Sequence, residues 1–239
     1  MRAGGPFPLV IFAHGNTVSD PAEAYAGLLR KWANSGYVIV APTFPVSSTR
    51  VPGGLADLVN QPADVSFVLT QMLQLSAAAD GRYKGLIDQG RIAVAGHSLG
   101  GMTALGVTAN TCCSDDRIKA AIVLAGEERS FGRGSFFTGS GRVPTMVVHG
   151  DADATIPFEA GHKVFADASR PKVMLTLVGG DHGAPYSGAE SYGPARLVAA
   201  ATLDFLDYYV RGDAQSLDRL RAAVAGSPNA HLEVEEEPS

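Results

Sequence analysis

Short, unbroken apolar runs recur along the chain, separated by longer stretches in which apolar residues return every three or four positions. The runs at 9–13, 37–41, 91–95, 120–124, 145–149 and 173–178 predict six β-strands. They are continuous rather than alternating, as expected when helices cover both faces of a mostly parallel sheet. Helical spacing fills the intervals at 21–35, from 61 onward, from just after 98 to about 109, and at 158–168, 191–211 and 214–225. In the second of these, Val65, Val68, Leu69, Met72 and Leu75 share one face. Gly36 and Gly212 stand where helices commonly stop. Strand and helix alternate without a linker or repeat, which predicts one α/β domain over 1–225. The segment 126–141, rich in glycine and serine, interrupts the pattern as a long loop. Its Phe131, Phe136 and Phe137 are either an apolar flap or rings that pin the loop to the core.

Composition changes this picture little. The 239 residues are 46% hydrophobic and 18% charged, ordinary for a globular domain. The net charge of −5 comes mostly from Glu233, Glu235, Glu236 and Glu237, so the body is nearly neutral and has no clustered basic face for nucleic acid. Residues 226–239 are expected to form an acidic, solvated, disordered tail. Cys112 and Cys113 are neighbours, and two thiols are expected rather than a strained vicinal disulfide. No His/Cys spacing suggests a metal, and no apolar stretch is long enough to span a bilayer. The N-terminal residues run straight into the first strand with no leader, so a soluble, cytoplasmic protein is expected from the sequence as it stands, or a secreted one if the N-terminus has been trimmed. The sequence does not decide the oligomeric state.

The chemistry concentrates at strand ends. After the strand at 91–95 comes Gly96-His97-Ser98-Leu99-Gly100, followed by a helix. Strand, Gly-x-Ser-x-Gly, helix is the pattern of a nucleophile elbow that presents a serine hydroxyl above the sheet. A serine needs a base and a group to orient it, expected later in the chain with the acid first. Asp153, four residues beyond the strand end at His149, is the predicted acid; Asp151 is expected to brace the turn, and Glu127 and Glu128 are held in reserve. His182, just beyond the strand at 173–178, is the predicted base. His14 and His149 are expected to be structural, His162 and His231 solvated. The oxyanion is expected to be held by the backbone N–H groups of Leu99, next after the nucleophile, and Asn16, in the loop after the first strand. Thr17, His97, Ile156, Ala184 and Tyr186 sit on loops beside these residues and are candidates for lining the substrate, or equally for packing.

With these residues assembled, the chain resembles serine hydrolases of the α/β-hydrolase superfamily, and within it dienelactone-hydrolase-like proteins allied to platelet-activating-factor acetylhydrolases, chlorophyllases and cutinase-like polyester hydrolases. The resemblance is carried by residues 8–15, 61–69, 96–101 and 149–153 and by Asp181-His182, and covers roughly 6–212. It implies that Ser98, Asp153 and His182 form a triad, in agreement with the reading of the residues themselves. Dienelactone hydrolase itself uses cysteine as nucleophile, so Ser98 departs from that activity. The sequence as it stands has no counterpart of the usual N-terminal hairpin, so either a reduced sheet of about six strands or a misplaced start codon is expected; no cap domain is inserted, which implies an open site. The expected function is hydrolysis of short to medium acyl esters or polyesters through an acyl-enzyme, without cofactor or metal. An amidase, peptidase or acyltransferase with the same triad remains an alternative, and more remotely a hydrolase-fold binding protein.

Overall fold

The computed structural model describes residues 5–16, 18, 20–48, 54–138, 143–188 and 191–237. Seven strands form one sheet: β1 (Phe7–Ala13), β2 (Val38–Val40), β3 (Ile87–His97), β4 (Ala120–Leu124), β5 (Thr145–Gly150), β6 (Lys172–Leu177) and β7 (Ala230–Glu235). Their order is β2-β1-β3-β4-β5-β6-β7, and every pair is parallel except β6 with β7. The chain runs outward from β1 to β2, then returns past β1 to β3 and continues the other way. That reversal opens a crevice at the carboxyl ends of β1 and β3, where open α/β sheets bind ligands.

Helices cover both faces, which explains the unbroken apolar runs. Alternate residues of β1 and β3, such as Val10, Phe12, Ala93 and Ala95, pack with Leu28 and Trp32 of α2 (Ala26–Asn34), Val198 and Phe205 of α7 (Gly193–Leu206) and Leu220 of α8 (Ser216–Ala225). The buried indole N–H of Trp32 donates to Thr202 Oγ1 at 3.1 Å, so the ring enters the core without an orphaned donor. On the opposite face Leu9, Ile11, Ile92 and Val94 meet Val65 and Leu69 of α3 (Gln61–Ala77) and Ala104 and Val107 of α4 (Leu99–Ala109). Further along, Val123, Val147 and Met174 pack on Val164 and Phe165 of α5 (Phe158–Asp167).

Three expectations need correction, and one open alternative is decided. The acidic tail is not a free coil: 230–235 pair with β6 as β7, from Leu177↔Ala230 to Lys172↔Glu235. Ala230, Leu232 and Val234 turn toward the core while His231 and Glu233 are exposed, an alternation that the abundance of glutamate masks. Glu235 also pairs with Arg170 at 2.7 Å and Glu236 with Arg221 at 2.8 Å. The helix expected at 21–35 breaks at Tyr25 (φ −113°, ψ 25°), leaving α1 (Pro21–Ala24) before α2. Cys112 and Cys113 form a vicinal disulfide, held in a turn where Asn110 takes the N–H of both, through its side chain for Cys112 and its carbonyl for Cys113. Of the two readings of the long loop, the described part fits the pinned one. Phe131 is buried against Gly106 of α4, and Phe136 bridges to Asn110.

Candidate active site

β3 ends at His97 and α4 begins at Leu99, so the whole turn between them is made by Ser98, at φ 57° and ψ −119°. A serine rarely adopts positive φ, and the surrounding backbone must hold it there. The Ser98 N–H donates to Leu124 O at 2.9 Å, anchoring the turn to β4. The hydroxyl is left half-exposed above the sheet, 2.9 Å from His182 Nε2.

His182 lies in the loop after β6, just before α6 (Ala184–Ser187). Its Nδ1 is 2.7 Å from Asp153 Oδ2. Because an ionised carboxylate can only accept, that bond puts the ring proton on Nδ1 and leaves Nε2 free to accept from the serine hydroxyl. Asp153 is buried in the loop after β5, and its other oxygen accepts the N–H groups of Thr155 (2.8 Å) and Ile156 (2.9 Å). Burial alone would raise the Asp153 carboxyl, but hydrogen bonds from His182, Ile156 and Thr155 outweigh it and hold the group below the usual carboxylate range. Asp151 accepts the Gly179 N–H at 2.6 Å and so ties the loop bearing Asp153 to the loop bearing His182.

Leu99 and Asn16 follow closely on the carboxyl ends of β3 and β1, the two neighbouring strands that flank the crevice. Leu99 is the first residue of an eleven-residue helix, where N–H groups lack intrahelical partners and the dipole favours negative charge. Asn16 follows Gly15 in the turn after β1.

Three further histidines are buried around this site, and all three are pushed below their ordinary value, chiefly by burial. His14 hydrogen-bonds Gly15 O and accepts the Phe44 N–H. His97 is pushed down to about 4, by burial and then by the neighbouring His182. His149 is fully buried, with Nε2 2.9 Å from Ile156 O and 3.3 Å from Asp153 Oδ2, and with Nδ1 unpartnered. Because their folded values lie below an unfolded value of about 6.5, acid drives protons onto the unfolded chain that the folded chain refuses. Stability is therefore complete above pH 6.5 and is lost progressively as pH falls toward 4. For His97 alone the span is worth about 3 kcal/mol. The denaturant midpoint is expected to fall steadily between pH 7 and 4.5, and a level midpoint over that range would contradict these assignments.

The His149 ring also sets a tight packing limit. A Cβ on Gly161 of α5 would run into His149 Nδ1, and that ring is fully buried. Gly161→Ala is expected to cost about 1–3 kcal/mol in equilibrium unfolding, the usual range for overpacking, despite the better helix propensity of alanine.

Comparison with known proteins bears on the same residues. The chlorophyllase family model matches residues 2–125, just over half of the chain. The chain belongs to the chlorophyllase family. The seven-stranded, mostly parallel sheet is accordingly an α/β-hydrolase fold. Esterase YjfP of Escherichia coli (strain K12) is 36% identical over 104 residues, which are 44% of this chain and 41% of that protein. This chain thus spans less than half of that relative. The chlorophyllase-family match includes Ser98, Leu99 and Asn16, while Asp153 and His182 lie beyond it, so their union with Ser98 is a matter of geometry.

The expected substrate-lining residues of this chlorophyllase-family chain divide. Thr17 lies outside the described residues. Ala184 is half-buried beside His182. His97, Ile156 and Tyr186 are buried beneath the triad, an arrangement that suits support rather than contact with substrate. Ile156 packs with Leu58, Leu99, Met102 and Phe131. The Tyr186 ring lies 4.9 Å from that of His97, and its hydroxyl donates to Val148 O. One neighbour escaped the sequence reading: Tyr25, whose hydroxyl meets His97 Nδ1 at 2.9 Å. The only local hint was a phenol in the middle of an otherwise amphipathic helical stretch. Among the described residues no group of three or more potential ligands gathers to hold a metal, and no helix is long and apolar enough to cross a membrane.

Proposed function

We propose that this protein hydrolyses carboxylic esters through an acyl-enzyme on Ser98. The observation that supports the reading most is the unbroken line Ser98 Oγ, His182 Nε2, His182 Nδ1, Asp153 Oδ2, with spacings of 2.9 and 2.7 Å at its two hydrogen bonds. His182 takes the serine proton as Oγ attacks the ester carbonyl, and Asp153 steadies the imidazolium that forms. The carbonyl oxygen becomes an oxyanion that accepts from the Leu99 and Asn16 N–H groups. Collapse breaks the bond to the alkoxide, which leaves as the alcohol with the proton from His182 Nε2. Water, deprotonated by the same nitrogen, then attacks the acyl carbon, releases the carboxylic acid and returns the proton to Ser98.

Short to medium acyl chains, or the surface of a polyester, suit the surroundings. Leu99, beside the nucleophile, belongs to an apolar cluster with Leu58, Met102 and Ile156. On either side of Leu58 in the chain, Leu55 and Val59 are 59% and 52% exposed and add apolar surface close to that cluster in sequence.

The test is turnover of p-nitrophenyl acetate, butyrate, octanoate and palmitate, set against the matched anilides and against added alcohol as acceptor. Ester cleavage to acid that peaks at one chain length is the expected result. Preferential anilide cleavage or transfer to alcohol would replace the reading with an amidase or a transferase, and a folded protein that turns over nothing would remove it.

A further inference from the structure

We propose that Tyr25 and His97 are positioning residues: through a buried line of three hydrogen bonds they tie the loop bearing the Asn16 amide to the backbone of His182, across the nucleophile turn. The inference rests on the esterase reading for its consequence, though the hydrogen-bond line itself does not.

The line begins at the Gly15 N–H, which donates to Tyr25 Oη at 3.1 Å. Tyr25 Oη lies 2.9 Å from His97 Nδ1, and His97 Nε2 lies 2.6 Å from the carbonyl oxygen of His182. Its two ends fix the protons. A backbone N–H can only donate and a carbonyl can only accept, so His97 must carry its proton on Nε2 and Tyr25 must turn its hydroxyl proton toward Nδ1. A second proton on His97 would strand the Tyr25 hydroxyl proton, because the phenol oxygen would then face two N–H donors. The groups facing His97 agree with a neutral ring. His182 is 4.9 Å away centroid to centroid, Tyr186 4.9 Å and Tyr25 5.6 Å; Asp153 and His149 act on it from further off, with opposite signs. Neither phenol supplies charge at neutral pH, since burial raises Tyr25 to about 12 and lifts Tyr186 as well.

Ordinary packing would not call for this arrangement. The chain breaks a helix at Tyr25, and that residue's hydroxyl serves both a backbone amide of one loop and a ring 72 positions away. His97 stands between Gly96 and the strained Ser98, so its ring direction is set by the same turn that aims the nucleophile. Pinning the His182 carbonyl fixes the backbone from which the imidazole reaches both Ser98 and Asp153. Pinning the Gly15 amide fixes the turn that presents the next amide, Asn16. One line thus registers the base, the nucleophile and the oxyanion donor against each other. Such registration matters in the transition state and little for substrate binding, because displacements of about 1 Å cost rate steeply.

Tyr25→Phe is the informative change, since it removes one oxygen and keeps the ring. On the folded variant, kcat is expected to fall about 10–100-fold with KM within about twofold, and affinity for phenylboronic acid, which gives a tetrahedral anion on a serine, to fall by a similar factor. His97→Gln, which keeps a donor where Nε2 stood, is expected to retain at least about tenfold more activity than His97→Leu. The rate of Ser98 labelling by a fluorophosphonate ranks the same variants without any ester. Nitrogen NMR of the wild type is expected to show His97 as the neutral Nε2–H form from pH 5.5 to 8. If the wild type cleaves no ester yet labelling falls in Tyr25→Phe, the esterase reading fails and the positioning role stands. Unchanged labelling and kcat in folded Tyr25→Phe, or an Nδ1–H form of His97, would overturn the proposal.

Discussion

Ser98→Ala is expected to lower kcat for any ester substrate by about 10⁴-fold or more while leaving the fold intact. Both halves of that expectation come from the geometry of one atom. Ser98 is half-buried, and among the described residues its hydroxyl hydrogen-bonds to His182 Nε2. Removing that hydroxyl leaves no cavity in the core and exposes the His182 nitrogen to water, so the unfolding free energy is expected to stay within about 1 kcal/mol of wild type. The backbone at φ 57° is as awkward for alanine as for serine, and the substitution neither relieves nor adds strain there. On the proposed mechanism the variant would keep its crevice and the two amides proposed to hold the oxyanion, worth a residual acceleration over water. Kinetics beside a thermal melt of the same preparation decide the matter. A folded variant with more than a tenth of the wild-type rate would show that Ser98 is not the nucleophile.

Gly96→Ala and Gly100→Ala are each expected to leave no stably folded protein. The glycines flank the turn for a steric reason that the structure makes plain. A Cβ on Gly96 would overlap the Gly100 carbonyl, and a Cβ on Gly100 would overlap the Ala13 carbonyl. These are main-chain atoms of α4 and β1, committed to helix and sheet, and they cannot swing aside as a long side chain would. Overpacking by one methyl usually costs about 1–3 kcal/mol because neighbours adjust. Here adjustment means moving α4 off β1 at the centre of the sheet, and the cost is expected to exceed about 3 kcal/mol, a large part of a typical domain's stability. Gly193→Ala is the control: at the start of α7, its Cβ would meet nothing within 4 Å, and alanine suits a helix better. Soluble yield and melting of the three variants should separate cleanly, and a well-folded Gly100→Ala would refute the steric account.

The parallel core was legible because burial on both faces writes itself as continuous apolar runs, and each predicted run coincides with a strand to within a few residues. The nucleophile turn was legible for the opposite reason: its glycines answer a local demand that any sequence must meet. Chain order and placement just beyond strand ends then singled out Asp153 and His182, and the fold brings His182 to hydrogen-bond distance of both Asp153 and Ser98. What the sequence hid depends on distant contacts. β7 has the alternation of a half-exposed strand, but its glutamates dominate any reading by composition. The break at Tyr25 interrupts a stretch whose spacing is good helix throughout, and the partners of the Tyr25 hydroxyl, Gly15 N–H and His97, lie outside that stretch where no local spacing reveals them. For His97 the sequence left packing and substrate lining both open; at the end of β3 the residue is buried, and its partners Tyr25 and His182 are distant in the chain. The cysteine pair could not be decided without the turn around Asn110.

The antiparallel β7 has a consequence for how the molecule behaves in a crowd. A sheet edge offers unpaired amides to any passing strand, and long apolar edges invite stacking between molecules. Here one edge, β2, is only three residues long, and the other is β7, whose Glu233 points outward and whose Glu235 is engaged with Arg170. Beneath β7 lies Val173-Met174-Leu175, an apolar stretch of high β propensity that is completely buried. The acidic strand is thus a gatekeeper: without residues 230–235 the sheet would end in an adhesive border, and the protein would trade solubility for fibrous or amorphous self-association.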